Sequence, residues 1–210
     1  MATLADDVYD RVERMIVTLE LEPGAVFSES GLSERIGIGR TPVREALQRL
    51  ASGRLVTIVP RQGIRVTDID VLEYLALLET RAALDGVLVM RAARRASPGQ
   101  RTRLNELAAL MQTAATEADV ETFMRLDREA DAILDECADN PFASEALRPL
   151  HAHCRRFWYR YKHAGDLPRS AVLHARLLLA VAQGDDAEAA TASDTLIGYL
   201  VSFTRAAMGL

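Results

Sequence analysis

The chain is short of most features that mark a secreted, membrane-embedded or catalytic protein. It has two cysteines in 210 residues, Cys137 and Cys154. Neither belongs to a Cys-x-x-Cys pair and both fall in helix-like stretches. No disulfide framework is therefore expected; buried free thiols in a reducing compartment are. No apolar stretch approaches the roughly 18 residues that a bilayer-crossing helix needs. The opening "MATLADDVYDR" has no basic segment followed by an apolar run, so no secretory signal is expected. The chain reads as cytoplasmic, with no membrane partner. Aromatics make up 5% of the residues, and glycine and proline gather between segments instead of spreading through them. There is no His-Glu-x-x-His, no P-loop, no Gly-x-Gly-x-x-Gly and no Ser/His/Asp pattern, so no enzyme class finds support in a motif. What is present is alanine, leucine and arginine, in a chain that is 49% hydrophobic. That composition predicts a largely helical protein with enough apolar residues for a core.

Charge is distributed unevenly. The chain as a whole carries a net −5. Yet residues 35–66 hold seven arginines (35, 40, 44, 49, 54, 61 and 65) and a single acid, Glu45. The 34 residues before them hold eight acids and two arginines. A local basic block in an acidic protein points to an anionic partner for that segment alone.

The same segment has a recognisable organisation. Apolar residues at Leu4, Val8, Val12, Ile16 and Leu19 recur at helical spacing, and "EPG" breaks the pattern. "SESGLSERIGI" predicts a short helix capped by Ser28 or Ser30 and ended by Gly37. "GRTPVREALQRLASG" predicts another, with Thr41 as N-cap, Pro42 at the first helical position and Gly53 at the stop. "LVTIVPRQGIRVTD" has two β-branched runs around a Pro-Arg-Gln-Gly turn and predicts a hairpin that must pack on the helices. Beyond residue 70 only helices are expected, over about 71–95, 98–118, 120–138, 141–163, 168–182 and 185–208. Short links ("RASPG", "CADNP", "HAGDLP", "AQGDD") make neighbouring helices antiparallel. The fold class is mainly α. Residues 1–68 form a winged helix-turn-helix of three helices plus a β-hairpin, and residues 69–210 form an antiparallel bundle of about six helices.

In the second short helix, Val43, Ala46, Leu47 and Leu50 share one stripe, while Thr41, Arg44 and Gln48 share the opposite side. A helix held by one face and offered by the other is what reading a major groove requires. Arg40 and Arg44 are the candidates for bidentate contact with guanine, and Thr41 for a phosphate or base. Arg61 and Gln62 sit at the tip of the wing, where Gly63 lets the backbone turn and approach closely. The alternative is a solvated, salt-bridged surface; seven arginines with one acid on this pattern favour double-stranded DNA.

"LSERIGIGRTPVREALQRL", followed by "LV…P.QG..V", closely resembles the DNA-binding signature of the GntR family of bacterial transcription regulators. The resemblance implies DNA contacts at Arg40, Thr41, Arg44 and Gly63. Two departures stand out. Gly39 occupies a position where a Ser or Thr is common, and Ser30 one where some relatives carry a basic residue; Ser30 can still reach a phosphate. The helical remainder, with "ETRAALDG" early and "GDDAEAA" late, resembles the FadR subgroup and its C-terminal FCD domain. This implies a homodimer and a central cavity for a small carboxylate or related effector. It also implies a divalent metal held by an Asp-x-x-x-His pair and two later histidines. Here the pair reads Asp127 and Asp131, the next histidine matches His174, and the last position falls near Leu196, with Asp194 the nearest polar residue. Asp127 and Asp131 are one turn apart, at the margin of a stripe of Leu126, Ala130, Ile133 and Cys137. With His174 they could hold Zn²⁺ or Mn²⁺; the alternative is two partly solvated carboxylates beside an ordinary core histidine. Arg81, Arg155, Arg156 and Tyr159, with His151, are candidates for the effector, because arginine grips a carboxylate in a fork. His153, His163 and Trp158 read as surface or packing residues.

The expected function is an effector-responsive transcription regulator, a repressor, bound as a homodimer to a two-fold symmetric operator. The alternatives are a metal-dependent enzyme centred on Asp127, Asp131 and His174, and a DNA-binding protein that needs no effector.

Overall fold

A computed structural model describes residues 3–163 and 166–209. Residues 164 and 165, in the sequence-predicted "HAGDLP" link, lie outside them. The described chain runs α1 (Leu4–Val17), β1 (Val26–Phe27), α2 (Glu29–Ile36), α3 (Arg40–Ser52), β2 (Val56–Val59), β3 (Gly63–Val66), α4 (Val71–Arg95), α5 (Pro98–Thr116), α6 (Val120–Ala138), α7 (Pro141–Tyr161), α8 (Asp166–Gln183) and α9 (Asp186–Met208). Two compact units result. One comprises the chain up to Asp70 together with Arg148–Tyr161; the other comprises Val71–Leu147 and the chain from Lys162. Residues 148–161, placed with the bundle in the sequence reading, pack with the N-terminal unit.

In the first unit, α1 is opened by a capping box. The Thr3 hydroxyl accepts from the Asp6 amide and the Asp6 carboxylate accepts from the Thr3 amide, satisfying two amides that a helix start leaves without partners. Val8, Val12 and Ile16 are fully buried from the inner face of α1. Ser28 caps α2 by accepting from the Gly31 amide at 3.0 Å, and Gly37 ends it in the left-handed conformation (φ 71°). The next helix departs from the sequence reading. α3 begins at Arg40 with Gly39 as its N-cap and no side-chain cap. Thr41 and Pro42 therefore lie inside the first turn. The first-turn amides of any helix lack intrahelical acceptors, so proline is tolerated there as well as at the first position.

The sheet has three strands in the order β1-β3-β2, both pairs antiparallel. The hairpin pairs Val56 with Val66 and Val59 with Gly63. The two-residue β1 was not foreseen; it pairs Val26 with Arg65 and Phe27 with Ile64. It gives the short hairpin a third strand, which isolated two-stranded ribbons lack.

The C-terminal part of α7 completes this unit. His153 Nε2 lies 2.9 Å from the Gly53 carbonyl. Arg156, 1% exposed, donates to the Thr67 carbonyl and hydroxyl. Burial pulls its pKa down to about 10, yet it keeps its proton at neutral pH. Arg155 meets the buried carboxylate of Glu13 at 3.6 Å.

The second unit holds α4, α5, α6, α8 and α9 with only the first turns of α7, so one helix of the six expected from the sequence is shared with the first unit. α5 packs on α8 and α4 on α9, with α6 against α4 and α5. Leu88, Leu104, Leu107, Met111, Leu126 and Val181 are at most 1% exposed. Arg101 joins three helix ends: it donates to the carbonyls of Ala93, Ala96, Val181 and Ala182 at 2.8–3.1 Å. These carbonyls lie near the ends of α4 and α8, where the helix leaves its last acceptors unpaired. Among the described residues no helix is long and apolar enough to cross a membrane.

Candidate nucleic-acid interface

α3 divides as its sequence implies. Val43, Ala46, Leu47 and Leu50 are buried at 0–2% exposure, and each fully buried Val or Leu contributes about 1.5–3 kcal/mol. That anchorage fixes the other face, where Arg40, Thr41, Arg44 and Gln48 are all exposed. Ser30, half-buried on α2, shares a hydrogen bond with Ser28 at 3.2 Å. Arg61 and Gln62 are exposed at the turn between β2 and β3. Arg61 adopts a left-handed φ of 63°, which holds the wing tip in a tight turn.

Gly63 makes the turn and close approach that the sequence reading expected, but toward β1. Its φ is 110°, and a Cβ there would stand 2.6 Å from the Phe27 carbonyl oxygen. The close approach is to β1 and belongs to the sheet itself. Gly63→Ala is therefore expected to loosen the wing by about 2 kcal/mol. The Val66 amide, which donates to Ala25, should then exchange with solvent about 30-fold faster.

The basic block is less uniform than its composition. Arg35 pairs with Glu20, Arg44 with Glu29, Arg49 with Asp6 and Arg65 with Asp68. Arg49 also lies over the Tyr9 ring, 4.6 Å from its centroid. Three of these acids come from the acidic stretch that precedes the block, so for four arginines the salt-bridged alternative is what forms. Among the described residues Arg40, Arg54 and Arg61 have no acidic partner.

The candidate groups of the bundle gather only in part. His174 sits edge-on to Phe123. Its Nδ1 lies 2.8 Å from the Ser170 carbonyl and its Nε2 lies 3.1 Å from Asp127 Oδ1. Burial alone works against its charged form. The Asp127 carboxylate, the Ser170 carbonyl and the charge of Asp131 outweigh that and raise its pKa above the usual value. Among the described residues no three His, Cys, Asp or Glu side chains stand close enough to hold a metal ion, and Leu196 is a buried apolar residue. Asp127 and His174 engage each other, and Leu196 offers no donor at the fourth position that the resemblance implies. On α6, Leu134 is buried where Ile133 was expected.

Arg81 is buried on α4 and donates to Asp85 at 2.8–2.9 Å. Arg155, Arg156 and Tyr159 fall in the other compact unit, where the first two engage Glu13 and Thr67.

A helix anchored by one face, a short helix before it and a three-stranded wing behind it define a winged-helix reader of duplex DNA, here joined to an all-helical domain. The gntR family of bacterial regulatory proteins matches residues 4–66 and the FCD domain matches residues 76–198. The chain belongs to the GntR family, in the group with a C-terminal FCD domain. Over 64 residues it is 45% identical to an uncharacterised HTH-type transcriptional regulator in an unstable DNA locus of Streptomyces ambofaciens, covering 30% of this chain and 27% of that relative. Over 152 residues it is 28% identical to the HTH-type transcriptional repressor RspR of Escherichia coli (strain K12), covering 72% of this chain and 67% of RspR. The solved structure of McbR/YncC from E. coli shares the fold with a TM-score of 0.83 at 22% identity, covering 97% and 98% of the two chains.

Proposed function

We propose that this chain is a cytoplasmic transcription repressor that binds a two-fold symmetric operator as a homodimer and responds to a small carboxylate taken up by its helical domain. The observation that carries the reading is the outer face of α3, where Arg40, Thr41, Arg44 and Gln48 are exposed while the inner stripe is locked in the core. Arg40, Arg44, Thr41 and Gln48 enter the major groove, Ser30 reaches a phosphate, and Arg61, Gln62 and the Gly63 backbone follow the wing along the strand. Two-fold symmetry in the protein demands half-sites set about one helical turn apart or a multiple of it. Repression is supported by the name of RspR. The effector acts through a difference in its affinity for the operator-fitting and operator-misfitting arrangements, and Arg81 supplies the buried cation for its carboxylate.

The test is selection of operator fragments from random DNA by the full-length protein, followed by a salt titration on the winner. An inverted repeat should emerge. With about six to ten phosphate contacts, affinity should fall roughly 10³–10⁵-fold between 50 and 200 mM salt. No enriched sequence, or an affinity indifferent to salt, would refute the reading. Thermal shift against a panel of small organic acids then identifies the effector class.

A further inference from the structure

The arginine of α3 that faces outward near the middle of the helix is not a loose side chain. Arg44 Nε donates to Glu29 Oε2 at 3.1 Å and Arg44 Nη2 donates to Glu29 Oε1 at 2.8 Å. Two parallel hydrogen bonds fix the plane of the guanidinium, as a single one would not. The pair is lopsided: the Glu29 side chain is 26% exposed and the Arg44 side chain 65%. The carboxylate is the anchored partner. Glu29 occupies the first position of α2, directly behind the Ser28 cap, where the helix dipole favours an acid. The guanidinium is the offered partner.

We propose that Glu29 is a positioning residue for sequence readout, gripping the Nε–Nη2 edge of Arg44 so that the opposite end meets guanine O6 and N7 end-on. The proposal rests on the DNA-binding reading above. Arginine has five N–H donors; two are engaged by Glu29, and those at the far end, two on Nη1 and one on Nη2, point away. An end-on approach needs one hydrogen from each of these nitrogens. A pre-oriented guanidinium also loses less rotamer freedom when it binds. The acid has a second effect: it repels phosphates, so a duplex that gives Arg44 no guanine gains little from it. Arg61, with no acidic partner among the described residues, holds phosphates without that constraint. Arginines of one basic block are thereby divided between reading and holding.

Full-length Glu29→Gln tests this on the selected operator and on a scrambled duplex. Operator affinity is expected to fall about tenfold, while affinity for the scrambled duplex stays level or rises. One guanine per half-site should account for the loss. Replacing it with 7-deazaguanine, which removes the N7 acceptor, weakens the wild type about tenfold but the variant far less. Exposed pairs of this kind contribute little to stability, so the melting temperature should hold. Should it drop, Arg44→Lys keeps the charge without the fork, leaves α2 intact, and must show the same loss of discrimination. If Glu29→Gln strengthens both duplexes by one common factor, or leaves the 7-deazaguanine penalty whole, Glu29 is only an acid near the backbone and the proposal is overturned. A wild type that enriches no sequence overturns the DNA reading along with it. A wild type that discriminates without help from Glu29 overturns the positioning role alone.

Discussion

Arg44→Ala is expected to weaken operator binding about 5- to 150-fold, the range for losing one bidentate guanine contact at roughly 1–3 kcal/mol. Affinity for unrelated duplex should change far less, because Arg44 spends part of its charge on Glu29. Arg61→Ala is the matching control. A phosphate-holding arginine at the wing tip should weaken all sequences alike and lower the salt slope by about one. The two variants separate cleanly in a table of affinities for operator and scrambled duplex at several salt concentrations. Equal losses on both duplexes for Arg44→Ala would show that α3 does not read bases through this side chain. Folding does not blur the comparison, since the residue lies on the exposed face of α3 and the buried stripe that holds the helix is untouched.

The largest effect on stability is expected from Arg155→Ala. Glu13 is 2% exposed on α1 and Arg155 9% exposed on α7, and they meet at 3.6 Å. Removing one partner of a buried pair leaves the other charge out of water and costs about 3–5 kcal/mol. A folded domain has about 5–15 kcal/mol in all, so the N-terminal unit should unfold at markedly lower denaturant. Tyr9 belongs to the same cluster: burial first, and then the neighbouring Glu13 carboxylate, push its phenol well above its ordinary pKa. The double variant Glu13→Leu with Arg155→Met should recover much of the loss, because an apolar pair of similar volume needs no compensating charge. If Arg155→Ala unfolds at the wild-type denaturant concentration, the pair contributes nothing and α7 is held by other contacts.

Much of this architecture could be read before any coordinates. The helices 71–95 and 120–138 were expected with the bounds they have, because strong stop signals flank long apolar periodicities. α3 was placed correctly, with its inner stripe, since four apolar residues at helical spacing leave one solution. Its start was misplaced by two residues, because proline and threonine each obey rules that fit several positions in a first turn. β1 escaped notice: two residues carry no alternation, and only pairing with β3 makes them a strand. The partners of the arginines were equally hidden. Glu20–Arg35 and Glu29–Arg44 are each 15 residues apart, a separation that means nothing until the loop after α1 meets α2 and α2 meets α3. The partners of Arg155 and Arg156, effector candidates because arginine grips a carboxylate in a fork, were hidden in the same way: they are Glu13 and Thr67.

α7 makes the polypeptide cross between its two units more than once, leaving the first at Asp70 and revisiting it over Arg148–Tyr161. A scissile point chosen at the apparent linker would thus amputate a piece of the reading head that arrives some eighty residues later. A fragment ending at Asp70 would bare Glu13, the Gly53 carbonyl and Thr67 together. Anyone wishing to shrink this regulator to its DNA-binding part must graft the second half of α7 back on, as a separate peptide or a tethered one.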